Sequence, residues 1–388
     1  MKLSTELLES IALFCSPKEL AHLCLVNRYF YSVVIRLLYK NVMILSPRQY
    51  MIFKSTRPTL KSLVHRLDLS GYTTRGTRMP ESKSKSVVTT DSLGGILREC
   101  DRLQDLLVGE ELMDVFLPLT VHARLRTLDL TGFTGAVRDM GEWIETVDDL
   151  ENISFYHSTA LSQDQCLIPL FQRLSARGVL LKKLDLGQTK ITSALFSHLP
   201  SPQRLSHLSL RACHSLVCCS DLMGYLERCH QLKDLKLSGQ FCSSCLYRLF
   251  RSLPASLDTL DLTGLNAVIK EETLALLPNQ LKYLSLANCH LNPSSLFSRL
   301  PPTLIYLNLQ LPVPLDLSLL QHATPKVIEI NSSHTKGYPD QWGDWKLKRH
   351  GRRLFYAKMD PSEVYSKKII LSSAHPLSPM NRYWCFAL

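Results

Sequence analysis

The sequence predicts an α/β chain in two parts, a short helical segment followed by a curved solenoid of stacked strand–helix units. Two observations carry the solenoid. The pattern L-x-x-L-x-L returns at a near-constant interval through most of the chain, and the residues between its copies place apolar side chains three and four apart. A third observation sets the start apart: "LCLVNRYFYSVVIRLLYKNV", residues 23–42, is rich in apolar and aromatic residues and holds no copy of the repeat.

The first 45 residues read as three helices. Leu7, Leu8, Ile11 and Phe14 fall at helical spacing between Thr5 and Phe14. Ser16-Pro17-Lys18-Glu19 is a helix start, with Ser16 as N-cap, Pro17 in the first turn and Glu19 reaching back in a capping box. Asn27 caps a third helix from Arg28 to Tyr39, apolar nearly all round, which has to be covered on more than one side. Forty residues are too few for a self-sufficient core, so this segment is expected to need a second surface.

The repeats follow. "LRTLDLTGF" begins at Leu125, "LKKLDLGQT" at Leu181, "LSHLSLRAC" at Leu205, "LKDLKLSGQ" at Leu232, "LDTLDLTGL" at Leu257, "LKYLSLANC" at Leu281 and "LIYLNLQLP" at Leu304. Weaker copies start at Val64, Leu103 and Leu150, and "PKVIEINSS" from Pro325 is the last. In each copy the final two leucines alternate as a strand requires and point to one face. Stretches such as "SALFSHLP" and "SDLMGYLERC" supply helix-like links. One unit cannot bury its own leucines, so the units stack in parallel around a continuous core. The spacing from Leu103 onward, about 25 residues, lies inside the 20–29 range of leucine-rich repeats. Cys213 and Cys289 stand three residues after the last strand leucine, where a side chain can bond the turning backbone, while Cys100 and Cys229 precede a strand leucine by three. This placement resembles the cysteine-containing, ribonuclease-inhibitor-like class of leucine-rich repeats. The expected organisation is a helical segment at 1–45, a solenoid at 46–330 with a rim insertion at about 72–92, and a cap or tail at 331–388.

The N-terminal segment resembles an F-box of the fungal style. The likeness rests on Leu3, Glu6-Leu7-Leu8, Ile11, Glu19-Leu20, Leu23 and the Leu25-Val26-Asn27-Arg28 run ending in Leu38-Tyr39; Ser4 stands where that family usually has Pro. The resemblance implies docking to a Skp-family adaptor through Leu3, Leu7, Leu8, Ile11, Phe14, Leu20, Leu23 and Val26. Through the adaptor it implies a cullin and a RING subunit, with this chain monomeric in the complex and a protein substrate on the repeats. The role implied is substrate receptor of an SCF-type cullin–RING ubiquitin ligase, or a non-proteolytic scaffold built on the same segment.

Residues between the inward leucines form a polar column facing the concave surface, the expected substrate face. Its members include Asp129, Asp185, Ser209, Lys236, Asp261 and Asn308, with Thr131, Arg211 and Thr263 in the neighbouring column. The first column is polar and its charged members are mostly acidic, which suits a polar or basic segment of a target, although any water-facing strand face is polar.

Bulk properties set limits. The formal charge is +11, and "YPDQWGDWKLKRHGRRLFYAKM" joins basic and aromatic residues as single-strand nucleic-acid binders do. Closure of the last repeat is the simpler use of that stretch and nucleic acid is not the expected partner, with a nucleic-acid-binding solenoid that uses this segment as the alternative reading. No run of about 18 uncharged apolar residues appears, so no membrane-spanning helix is expected. Glu6 and Glu9 interrupt any signal-peptide core, which leads to an expected location in cytoplasm or nucleus with the twelve cysteines reduced. Cys242-Ser-Ser-Cys245 has the spacing of half a zinc site, but no second close pair completes it, and no metal or cofactor is assigned. No H-E-x-x-H, G-x-S-x-G, Walker A or dinucleotide fingerprint occurs, so no catalytic residue is assigned and the chain is expected not to be an enzyme.

Overall fold

The computed structural model describes residues 3–70, 88–108, 119, 124–133, 140–292, 296–311, 314–350 and 353–359. The expected rim insertion lies mostly outside the described residues, as does the end of the chain beyond Met359. The chain divides into two compact units, Met1–Leu150 and Glu151–Leu388.

The first unit opens with α1 (Thr5–Ala12), α2 (Pro17–Cys24) and α3 (Arg28–Lys40). Each start is fixed by a side chain that satisfies an orphan backbone N–H. Ser4 Oγ accepts from Leu7 N (3.3 Å), and Asn27 Oδ1 accepts from Phe30 N (2.9 Å). Ser16 and Glu19 form the full capping box, with Ser16 N donating to Glu19 Oε2 at 2.6 Å. Ser4 therefore caps the helix that a Pro would otherwise begin. Four strands follow in parallel register: β1 (Asn41–Met43), β2 (Arg66–Asp68), β3 (Asp105–Leu107) and β4 (Thr127–Asp129). The first strand of the ladder thus starts at Asn41, directly after α3 and inside the segment read as purely helical. Two helices on this unit, α4 (Pro47–Lys54) and α5 (Thr90–Glu99), are joined where Tyr50 OH meets Ser92 Oγ at 2.9 Å.

The second unit carries eight parallel strands: β5 (Asn152–Ser154), β6 (Lys183–Asp185), β7 (His207–Leu210), β8 (Asp234–Leu237), β9 (Thr259–Asp261), β10 (Tyr283–Ser285), β11 (Tyr306–Leu309) and β12 (Val327–Ile330). The register is one for one: Ser154, Asp185, Ser209, Lys236, Asp261, Ser285, Asn308 and Glu329 are paired in sequence across the ladder. Leucines such as Leu184, Leu186, Leu208, Leu235, Leu260 and Leu284 are fully buried beneath it. The links are α6 (Ile168–Ala176), α7 (Ser220–Glu227) and α8 (Ser243–Ser252), while "SALFSHLP" makes only a short 3₁₀ helix at Ser193–Ser197.

One turn repeats after the strands. The third residue past the column position takes a left-handed backbone at Gly132, His157, Gln188, Ala212, Gly239, Gly264 and Asn288. The next residue can then bond back. The Cys213 thiol donates to Leu186 O at 3.1 Å and the Cys289 thiol to Leu262 O at 3.0 Å. Burial pushes these thiols up to about 11 and about 12, so they are protonated donors.

The parallel ladder ends in an antiparallel hairpin. Strands β13 (Trp345–His350) and β14 (Arg353–Ala357) pair with each other, and β14 pairs with β12.

Candidate functional site

The N-terminal helices already own a core. Leu8, Ala12, Leu20, Val33 and Val34 are buried together, with Leu23, Tyr29, Phe30, Leu37 and Leu38 packed around them. Tyr29 OH donates to Leu3 O at 2.8 Å and fixes the chain start against α3. Leu8 and Leu20, expected on the docking face, are 1% and 8% exposed. This corrects that expectation: both point between the helices because they lie on the sides of α1 and α2 that meet α3. Leu23 is half-buried in the same cluster. The other five expected residues stay open. Leu7 (49%) and Ile11 (45%) lie four apart on α1, Leu3 (42%) and Phe14 (92%) are exposed just before and just after that helix, and Val26 (59%) is exposed after α2. Leu13 and Leu25 are also exposed; Leu25 belongs to the F-box-like run, but neither was expected on the docking face. Their signal was available: each ends a helix at a cap, where no further turn covers it.

The polar column is real but most of it is enclosed. Asp129, Asp185, Ser209, Lys236 and Asp261 are buried, and so are Thr131 and Asn308, whereas Arg211 and Thr263 are half-buried. The carboxylates have a local task. Asp129 Oδ1 accepts from Thr131 N at 2.9 Å and from Thr131 Oγ1 at 2.7 Å. Asp185 Oδ1 accepts from Gly187 N, and Asp261 Oδ1 from Thr263 N, both at 2.9 Å. Asp68 with Ser70 and Asn308 with Gln310 repeat the arrangement. These are Asx-type turns at the ends of β2, β4, β6, β9 and β11, which is why Asp and Asn recur there. Charge is also balanced within the second unit. Asp185 is raised from the ordinary carboxylate value by burial, opposed by the Gly187 N–H, the Ser209 hydroxyl, Lys236 and Arg211. Arg211 lies 3.9 Å from Asp261. Near β12, Glu329 pairs with Arg353 and accepts from Tyr306 OH. The side chains left partly open along this face are Tyr156, Arg211, Thr263 and Gln310.

The basic–aromatic segment is built into the hairpin. Trp345, Phe355 and Tyr356 are buried, Trp345 Nε1 donates to Leu320 O at 3.2 Å, and Lys358 lies 4.6 Å over the Trp345 ring. Tyr338 is half-buried, and Trp342 alone of the five aromatics is exposed. Rings committed in this way are not free to stack on bases. Among the described residues no helix is long and apolar enough to cross a membrane.

Parallel one-residue-register strands, inward leucines at a fixed period and a turn closed by the same two positions define a leucine-rich-repeat solenoid preceded by helices. No family model matches the chain, and no curated protein matches it. Among solved structures it is similar to a chain of the Rad7–Elc1 complex of yeast, with 15% identity and a TM-score of 0.50 over 82% of this chain and 80% of that one. It is also similar to an internalin of Listeria monocytogenes, with 18% identity and a TM-score of 0.39 over 57% of this chain and 64% of that one. A chain of a TLR13–ssRNA13 complex matches at 17% identity and a TM-score of 0.40, over 68% of this chain but 38% of its own length. At these identities the likeness is one of fold.

Proposed function

We propose that the chain is the substrate-recognition subunit of an SCF-type cullin–RING ubiquitin ligase, its N-terminal helices docking on a Skp-family adaptor and its repeats holding a protein substrate. The observation that carries this reading is the set of exposed apolar residues Leu7 and Ile11 on α1, Leu3 and Phe14 beside its ends and Val26 after α2, none of them part of the core that the three helices share. Large apolar side chains left open in this way mark a surface for a second polypeptide. The F-box-like pattern of the same residues names the partner. Likeness in fold to a chain from a two-protein complex, Rad7 with Elc1, supports a repeat chain that works alongside a partner.

In this role the chain performs no chemistry. Transfer of ubiquitin belongs to the cullin–RING assembly, and the receptor supplies proximity. Substrate contact falls to the open side chains Tyr156, Arg211, Thr263 and Gln310 rather than to the enclosed acids, and the site of action is cytoplasm or nucleus.

The test is co-purification of the full chain with a Skp-family adaptor. Leu7→Asp with Ile11→Asp abolishes adaptor recovery while circular dichroism stays unchanged, because both side chains are at the surface. Adaptor recovery unaffected by that pair overturns the docking face. Adaptor binding with no protein stabilised on deletion of the chain favours a non-proteolytic scaffold.

A further inference from the structure

The repeat period brings Cys218 beside Cys242 and Cys245, a close pair from which the sequence keeps it apart. Cys242 and Cys245 sit at the start of α8, Cys242 as its N-cap and Cys245 in its first turn. Cys218 belongs to the preceding repeat, 24 residues before Cys242. Their three sulfurs lie within 4.8 Å of one another, and Cys218 Sγ and Cys242 Sγ are 3.7 Å apart. A tetrahedral site with metal–sulfur bonds of about 2.3 Å separates its sulfurs by about 3.8 Å, so the protein already holds two of them at ligand spacing.

The surrounding backbone fixes this arrangement. Cys218 N donates to Gln240 O at 2.9 Å and Gln240 N to Leu216 O at 2.8 Å, which zips the two loops together. Ser193 secures the other side, accepting from Val217 N at 3.0 Å. Gly239 is essential to the approach: it has φ +133°, and a Cβ there would lie 2.6 Å from Leu216 O. Backbone N–H groups also point at the sulfurs. Cys242 N donates to Cys218 Sγ and Cys245 N to Cys242 Sγ, both at 3.4 Å. Such donors favour thiolate sulfur, the form that binds metal. Cys242 is exposed and the other two are half-open, so a cation can reach all three.

We propose that Cys218, Cys242 and Cys245 form a binding site for a thiophilic cation of the zinc(II) class, held by sulfurs from two consecutive repeats, with a fourth position open to an exchangeable ligand. Each thiol that binds gives its proton to solvent as its sulfur–metal bond forms, so no oxidant or reductant is required. Two close sulfurs from one helix turn and one from the neighbouring repeat match the ligand chemistry of zinc and leave carboxylate-seeking cations such as magnesium or calcium without a suitable donor. A bound ion staples the two repeats, and its open position faces solvent, where water or a donor from a bound protein completes the shell.

The experiment titrates cobalt(II), a spectroscopic stand-in for zinc, into the reduced full-length chain without air. One equivalent is expected to bind with sulfur-to-metal charge-transfer absorption and the strong visible bands of a four-coordinate site, both abolished by competing zinc. Cys218→Ser and Cys245→Ser each weaken binding at least tenfold, whereas Cys219→Ser, next to the cluster in sequence, leaves it unchanged. A measurement on the unaltered chain guards against variants that misfold: zinc slows alkylation of Cys218, Cys242 and Cys245, located by peptide mapping, and leaves Cys15 and Cys219 as reactive as before. No cobalt uptake, uptake without charge-transfer absorption, or alkylation unchanged by zinc each overturns the site. So does uptake that survives both serine substitutions.

Discussion

Four residues without the freedom of glycine, His157, Gln188, Ala212 and Asn288, occupy the left-handed turn position that glycine fills in other repeats. An L side chain there crowds the following carbonyl. Ala212 is the cleanest case, with φ 54° and a backbone N–H that donates to Ser238 Oγ at 3.0 Å, a bond glycine would keep. Ala212→Gly is expected to stabilise the chain by about 0.5–1 kcal/mol, net of the looser unfolded state, seen as a higher urea midpoint. His207 acts on a different variable. Burial first, then Lys183, Lys236 and Lys233, hold its imidazole down to about 3, and its Nδ1 lies 2.7 Å from Ser206 Oγ. Above the usual histidine value of about 6.5 both folded and unfolded chains carry it neutral. From about pH 6.5 towards 3 the unfolded chain takes the proton first, so stability falls on acidification. His207→Gln is expected to make the loss of urea midpoint between about pH 7 and 5 shallower; an unchanged slope assigns that loss to other groups. The polar column shows where reading residues singly stops. Asp129, Asp185 and Asp261 were legible as one face, but their use in closing turns lies in the two-residue spacing to Thr131, Gly187 and Thr263. Exposure could not be read from polarity, because an Asx turn gives a buried carboxylate backbone and hydroxyl donors for one of its oxygens.

At the scale of elements, capping residues made the starts of the second and third helices legible, since Ser16, Glu19 and Asn27 act locally, and the first and third helices end within two residues of the sequence expectation. Which side of α1 faces inward was not legible. Leu7, Leu8 and Ile11 are all compatible with an apolar stripe, and only packing against α3 selects Leu8. Neighbouring leucines on one helix therefore separate stability from docking. Leu8→Ala is expected to cost about 2–5 kcal/mol, the range for emptying a buried leucine site, while Leu7→Ala changes stability by less than about 0.5 kcal/mol. Adaptor affinity reverses the order under conditions where both variants are folded: Leu7→Ala weakens it and Leu8→Ala leaves it near that of the parent chain. Thermal melts paired with adaptor titrations check both halves. The cysteine cluster is an element-scale feature too. Cys242 and Cys245 are visible as a close pair, but Cys218 joins them only because one repeat shifts the chain by a strand, placing residue i beside residue i+24. A period counted for leucines also applies to every other side chain in the unit.

For the molecule as a whole, a stack of parallel strands has an unpaired edge at its end, and such an edge pairs with other chains unless it is covered. The strand period was legible through eight copies of the second unit, and it stops being informative at β12 because the closing element is not a repeat. Its signal is the alternation around the His350–Gly351–Arg352–Arg353 stretch, weak beside the basic and aromatic composition that dominates the segment. The hairpin covers the edge by pairing β14 antiparallel to β12. It is held by an ion pair: Arg353 Nε donates to Glu329 Oε1 at 2.6 Å, Gln310 Nε2 donates to the same oxygen at 2.5 Å, and Tyr306 OH donates to Oε2. Glu329 is 1% exposed, so removing its carboxylate takes a shared acceptor from Arg353, Gln310 and Tyr306 at the point where the hairpin joins the ladder. Glu329→Ala is expected to cost about 3 kcal/mol or more, as for other buried pairs broken on one side. Truncation at two points isolates the contribution of the hairpin. A chain ending at Met359 keeps β13 and β14 and is expected to stay monodisperse by light scattering, whereas one ending at Asp340 exposes Val327–Ile330 and self-associates with rising concentration. Equal behaviour of the two truncations would mean that the ladder does not need the hairpin to protect its edge.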